Sequence, residues 1–295
     1  HFILGEEMWA AGEPRGAQYM NVNWIGPTLM RFGTPEQQQR FIPPMAAGTA
    51  IWCQGFSEPD AGSDLARLRT RAVRDGDDYI INGQKIWTSY AGLAHNCFLL
   101  ARTGDGSSGK AGIAIFLVDM KTPGIEVRPI PSLIGHGDIH ETFFTDVRVP
   151  ASARLGEEGQ AWSIIGYSLA NERTGIPRYE MAARVLDRMV RQLQERGQGD
   201  DAIIQMRAAT AAANCEAARI LVYRTVDMRS RGEAVDAEAS LARVAVAEAE
   251  QSVTDFGMEF LPDAFIGNGH PAYLAHHERA IVTGIAAGAT EIQLG

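Results

Sequence analysis

Carboxylates, hydroxyls and aromatic rings set close together are the groups of this chain that could do chemistry. Glu291 lies in VTGIAAGATEIQLG, Val282 to Gly295, among small residues that leave room for a ligand. Such a carboxylate reads either as a base carried on a flexible loop or as the charged first turn of a helix. The helix reading is favoured, because Thr290 followed by Gln293 has the spacing of a capping box. Glu172 stands beside Arg173 in SLANERTGI; on an amphipathic helix that pair by itself reads as part of a solvated face. SEPDAGSD, Ser57 to Asp64, is a loop of exposed amides, hydroxyls and small residues suited to close approach by a polar or anionic ligand. KIWTS, Lys85 to Ser89, sets the ring of Trp87 beside the hydroxyls of Thr88 and Ser89, which suits a planar ring with polar edges. Taken alone, a strand Trp is more often core.

Other chemistries find less support. His136 and His140 are four apart in GHGDIHE, but in a Gly-rich loop that spacing does not converge on a metal. The adjacent His276 and His277 cannot share one helix face. GYSLA lacks the second glycine of a nucleophile elbow, and neither a P-loop nor a complete G-x-G-x-x-G occurs. The net charge of -9, with no basic run, argues against a nucleic-acid partner. Cys53, Cys97 and Cys215 are odd in number and far apart, which argues against a disulfide framework or structural zinc and fits a reducing cytoplasm. No run approaches the ~18 apolar residues of a membrane span, and no charged-then-apolar leader opens the chain.

The elements that must position these groups fall into three regimes. From Glu6 to Ala47 apolar residues recur at helical spacing, and FGTPEQQQRFIPPMAAG reads as a helix capped by Thr34, started by Pro35 and stopped by Pro43-Pro44. From Ile51 to about Pro150 the texture is β-rich. Asn82-Gly83 in YIINGQKIW reads as a tight hairpin turn, while AGIAIFLVD and ETFFTDVRVP read as strands and TGDGSSGKAG as a solvent loop. From Gly159 onward the pattern is helical. One stripe runs through Ile165, Leu169, Ile176, Ala183, Leu186, Val190 and Leu193, and two Ala-rich helices follow, each ended by glycine. Long helices with short connections make a bundle.

In this order and at this spacing, SEPDAGSD and NGQKIWTS resemble the two flavin-binding signatures of the acyl-CoA dehydrogenase family. RFGTPEQQQRFIPPMAAG is similar to that family's helical lead-in, FTDVRVPASARLGEEGQAW to its passage into the C-terminal bundle, and GATEIQ to its closing motif. The resemblance implies an α+β fold: an N-terminal helical remainder over residues 1–50, a middle β barrel or sandwich over 51–158 that binds flavin, and a four-helix bundle over 159–295. It also leads one to expect further helical sequence ahead of His1 and a little more after Gly295.

By the same resemblance the cofactor is FAD. Gln54, Gly55, Phe56 and Ser57 would run along the flavin, with Ser57 bonding its pyrimidine edge. Ser63 would reach the pyrophosphate, Trp87 would pack on the isoalloxazine, and Thr88 and Ser89 would lie near N5. The implied reaction is α,β-dehydrogenation of an acyl-CoA: a carboxylate removes the α proton, the β hydride goes to flavin N5, and electrons leave to an electron-transferring flavoprotein. Many members carry the base just before the Gly of the closing motif, where this chain has Ala287. Part of the family carries it on the helix entering the bundle, directly before an arginine. There the match gives Glu172 as base and Arg173 as a substrate-site arginine.

Two family segments lack counterparts. QERGQGDDAIIQM replaces R-x-x-F-G, and FLPDAFIGNGHP replaces Q-x-x-G-G. That combination resembles the heterotetrameric acyl-CoA dehydrogenases of actinobacterial steroid degradation, so a second, unlike subunit (α2β2) is expected, with a homotetramer as the other arrangement. A non-catalytic partner subunit and an acyl-CoA oxidase on the same scaffold are the competing readings.

Overall fold

The computed structural model describes residues 2–11, 16–104, 106–133, 138–174, 177–267, 269–286 and 288–294, leaving aside the side chains of 106–108 and 173–174. The chain divides into two compact units, Arg15–Asn171 and His1–Pro14 with Glu172–Gly295.

The first unit opens with helices. α2 (Gln18–Met20) passes through a π-helical turn, Asn21–Ile25, into α3 (Gly26–Phe32), and α4 (Pro35–Ala46) follows. Thr34 caps α4 in a reciprocal box: its hydroxyl accepts from the Gln37 amide at 3.2 Å, and the Gln37 side chain accepts from Thr34 N–H at 3.1 Å. The expected Pro-Pro stop is corrected, since α4 continues through both prolines to Ala46. A proline removes a donor but keeps its carbonyl. In the last turn Pro43 O accepts from Ala47 N–H (2.9 Å) and Pro44 O from Thr49 N–H (3.0 Å), so the helix ends one turn later.

Eight strands follow: β1 (Trp52–Gly55), β2 (Arg71–Asp75), β3 (Asp78–Ser89), β4 (Asn96–Arg102), β5 (Ile113–Asp119), β6 (Ile125–Pro129), β7 (Ile139–Pro150) and β8 (Arg154–Leu155). They form one sheet in the order β6-β7-β3-β2-β4-β5-β8, with β1 parallel to β4. β4 and β5 are buried along nearly their whole length, which explains their continuous apolar runs. Cys53, Ile81, Leu99, Phe116, Phe144 and Val147 are among the residues of the core.

The hairpin turn is not at Asn82-Gly83. It lies between β2 and β3, where Asp75 pairs with Asp78 and Gly76 takes a φ of +62°. Asn82-Gly83 is instead an irregularity inside β3, where the register with β7 shifts between Ile81 and Gly83. Asn82 spans it, donating to Asp146 Oδ1 (3.0 Å) and accepting from Asp146 N–H (2.9 Å). A Cβ on Gly83 would lie 2.5 Å from Thr70 Oγ1 and 2.7 Å from Thr70 Cα. Because a backbone atom blocks that space, Gly83→Ala is expected to cost about 1–3 kcal/mol. Urea unfolding checks this, and an unchanged midpoint would contradict it.

The second unit holds α1 (Phe2–Ala10), α6 (Arg178–Glu195), α7 (Ala202–Ser230), α8 (Asp236–Phe260), α9 (Pro271–Thr283) and α10 (Thr290–Leu294). α5 (Ala161–Thr174) begins in the first unit and carries its last residues into this one. The stripe read as one run is therefore broken at Pro177, which precedes the first residue of α6. Leu186 and Leu193 lie in the bundle core, Ala183 and Val190 pack at its rim, and Ile176 lies outside the described residues. Buried alanines (Ala182, Ala211, Ala218, Ala242, Ala249) let the helices approach closely. α1 is tied down through Glu6, whose carboxylate accepts from Tyr179 Oη (2.8 Å) and Tyr223 Oη. Asp201 caps α7 by accepting from Ile203 and Ile204 N–H.

Candidate functional site

The SEPDAGSD and KIWTS segments are joined by the side chain of one lysine. Lys85, fully buried, donates to Phe56 O at 3.0 Å and to Glu58 Oε1 at 2.8 Å. Glu58 also accepts from the backbone N–H of Arg69 (2.6 Å) and Thr70 (2.9 Å), so both oxygens are engaged. Burial alone would raise the Glu58 pKa, but the Lys85 ammonium and these donors hold it below the ordinary carboxylate value. Burial likewise pushes the Lys85 pKa down, against the pull of Glu58. Ser57 O accepts from Ile86 N–H at 2.9 Å, which adds a backbone link between the segments.

A β-bulge then turns the aromatic ring outward. Lys85 pairs with Thr142 and Thr88 with His140, so β3 uses one residue more than β7. Period-two alternation would place Lys85 and Trp87 on one face and Thr88 on the other. The extra residue buries Lys85 and Thr88 together and leaves Trp87 57% exposed, with a left-handed φ of +58°. Left-handed backbone in a bulky non-glycine residue is costly and concentrates at functional sites. Thr88 Oγ1 is buried and makes no hydrogen bond among the described residues.

Gln54, Ser57 and Ser89 are half-buried, Phe56 is buried against Phe98, and Ser63 is exposed. Gly55 is backed by Cys97 Sγ and Leu99 Cδ1, each 2.9 Å from where its Cβ would be. The Gln54 carboxamide is held from outside the strands, its Oε1 accepting from Trp24 Nε1–H at 2.6 Å. An exposed ring, a buried hydroxyl without an internal partner and half-buried polar groups beside them suit a planar aromatic group with polar edges. The residues present thus fit a flavin ring.

Glu172 is half-buried in the last turn of α5, where the helix dipole disfavours a negative charge. Arg173 follows on the same turn, with its side chain outside the described residues. The structure brings Gln54, Gly55, Phe56 and Ser57 together with Trp87, Thr88 and Ser89 through the Lys85 and Ser57 links; Glu172 stands in the other unit. Ala287 and His136 lie outside the described residues. His140 is buried beside Thr88, its Nδ1 3.3 Å from Thr88 O. Among the described residues no group of three His, Cys, Asp or Glu could hold a metal ion.

Glu291 is exposed at the start of α10, but the expected capping box is absent. Gln293 N–H bonds Ala289 O at 3.1 Å, and Thr290 Oγ1 donates to Gly284 O at 3.3 Å rather than accepting. Within the described residues no helix is long and apolar enough to cross a membrane. Lys85, Glu58 and Trp24 are the organising residues that sequence reasoning missed. A lone lysine amid β-rich sequence, three residues from two hydroxyls, was the available signal.

Models of the acyl-CoA dehydrogenase N-terminal, middle and C-terminal domains match residues 1–49, 53–147 and 159–295. Acyl-CoA dehydrogenase IpdE1 of Mycobacterium tuberculosis is 39% identical over 224 residues, 75% of this chain and 58% of that protein. The chain thus spans little more than half of that relative's length. The solved Tcur3481-Tcur3483 steroid ACAD superposes with a TM-score of 0.90 at 29% identity, covering 99% of this chain and 78% of the other. The ChsE4-ChsE5 complex from Mycobacterium tuberculosis gives a TM-score of 0.87 at 30% identity, covering 99% and 78%.

Proposed function

Because the chain belongs to the acyl-CoA dehydrogenase family, we propose that it catalyses FAD-dependent α,β-dehydrogenation of an acyl-CoA thioester. The observation that carries this reading is the pairing of the solvent-facing Trp87 indole with the unpartnered Thr88 hydroxyl, locked beside Gln54 to Ser57 by Lys85. Bound FAD supplies the two-electron acceptor. Gln54, Gly55, Phe56 and Ser57 would line the ring, Trp87 would pack on it, Thr88 and Ser89 would lie at its edge, and Ser63 would meet the pyrophosphate. Glu172 takes the α proton of the thioester, and Arg173 holds the substrate. Electrons pass to an electron-transferring flavoprotein.

The domain boundaries proposed are 1–50, 51–158 and 159–295, close to the three matched spans. The likeness to a two-chain complex, with the substituted QERGQGDDAIIQM and FLPDAFIGNGHP segments, supports a second, unlike subunit completing the assembly. The test is to co-purify the chain with its genomic neighbour and record flavin absorbance while adding short, branched, long and steroid-linked acyl-CoA thioesters. Anaerobic bleaching by one class is the expected result; peroxide formation in air identifies an oxidase instead, and a complex without flavin sinks the reading.

A further inference from the structure

The π-helical turn Asn21–Ile25 makes two side-chain attachments to one strand. Its Gly26 N–H bonds Asn21 O, the wide i to i+5 bond that defines the turn. Asn21, 3% exposed, donates from Nδ2 to Ala50 O at 2.7 Å and accepts from Trp52 N–H at 3.2 Å. Trp24, 2% exposed, donates to Gln54 Oε1. Residues 21 and 24 thus fix both the start of β1 and a side chain two residues further along it. Tyr19 packs edge-on against Trp24 (5.2 Å between centroids) and against Tyr90 (6.3 Å), the residue after Ser89. The same turn is therefore connected to both candidate flavin segments.

An indole N–H can only donate, so the Gln54 atom facing Trp24 is its oxygen. Its amino group is thereby turned away from Trp24, and Nε2 has no acceptor among the described residues. Resting on the reading under Proposed function, we infer that Trp24 is a positioning residue that presents Gln54 as a hydrogen-bond donor to the flavin, favouring its reduced, more electron-rich state. An amide free to rotate would offer its oxygen to the ring as readily as its hydrogens.

The test uses the co-purified, flavin-loaded complex and reads the flavin midpoint potential in dye equilibration. Trp24→Phe keeps a buried ring and loses the donor. It is expected to lower the midpoint by the equivalent of on the order of a tenfold change in the reduced-to-oxidised ratio, the scale of one hydrogen bond. In a Gln54→Leu background, Trp24→Phe should add no further shift; a steric role would persist there. Gln54→Leu alone should lower the midpoint and move the Trp24 indole N–H resonance, and it carries the test if Trp24→Phe does not fold. A flavin-loaded complex whose midpoint is unchanged in either variant overturns this inference alone. A wild-type complex without flavin overturns the proposed function and this inference with it.

Discussion

Glu172→Gln is expected to leave flavin bound and to slow its bleaching by acyl-CoA on the order of 10³-fold, within the range a positioned general base supplies. The substitution keeps the volume and removes the basic oxygen, so binding and proton abstraction separate. Two physical points favour Glu172. It is half-buried, and it sits in the last turn of α5, where a carboxylate is not helped by the helix dipole. Glu291 offers neither: it is exposed, in the first turn of α10, where the dipole welcomes its charge. Stopped-flow absorbance after mixing with the best thioester, beside a flavin-content measurement, is the check. Wild-type bleaching in Glu172→Gln would remove the base assignment while leaving the flavin reading standing. Loss of flavin from the variant would show that the residue serves the fold.

The order of regimes was legible because hydrophobic periodicity changes from helical to strand-like near Ile51 and back near Gly159. The Thr34 cap was legible for the same local reason. What failed was local pattern overruled by distant contact. Asn82-Gly83 looks like a turn, yet it is stretched across a sheet by Asp146, sixty-four residues away. Thr290 looks like a cap until its hydroxyl finds Gly284 O. Of the candidate site, both signature segments stood out in the sequence. Their coupling did not, because a bulge suspends the alternation that would have marked Lys85 as outward-facing, and the Trp24 to Gln54 bond spans thirty residues.

Lys85→Met is expected to destabilise the strand unit by about 3–5 kcal/mol at neutral pH and to release flavin, because it strands the Glu58 carboxylate in the interior. Glu58 is 7% exposed and Lys85 is fully buried, so neither charge has water as a substitute partner. Arg69 and Thr70 N–H would still hold Glu58, which keeps the loss below that of a wholly naked carboxylate. Glu58→Gln keeps an oxygen that can accept from Lys85 but removes the charge that offsets its burial, leaving the Lys85 ammonium without a counter-ion. The double variant Lys85→Met, Glu58→Gln should recover part of either loss, since no unpaired charge remains.

The pH dependence separates charge from packing. In the native protein Glu58 has a folded pKa below its ordinary 4.5, so its contribution is fully present above 4.5 and is lost as pH falls through the folded value. Removing Lys85 takes away the main charge that opposes burial, so the Glu58 pKa should rise in the variant relative to the wild type. A carboxyl pKa higher than in the wild type means that the folded variant takes up its proton first, so the Lys85→Met deficit should be largest at neutral pH and shrink as acidification passes through the carboxylate range. Urea midpoints of the wild type and the three variants across that range measure it. A deficit that stays constant with pH would mean that Lys85 acts through its bond to the uncharged Phe56 O rather than through its charge pair with Glu58.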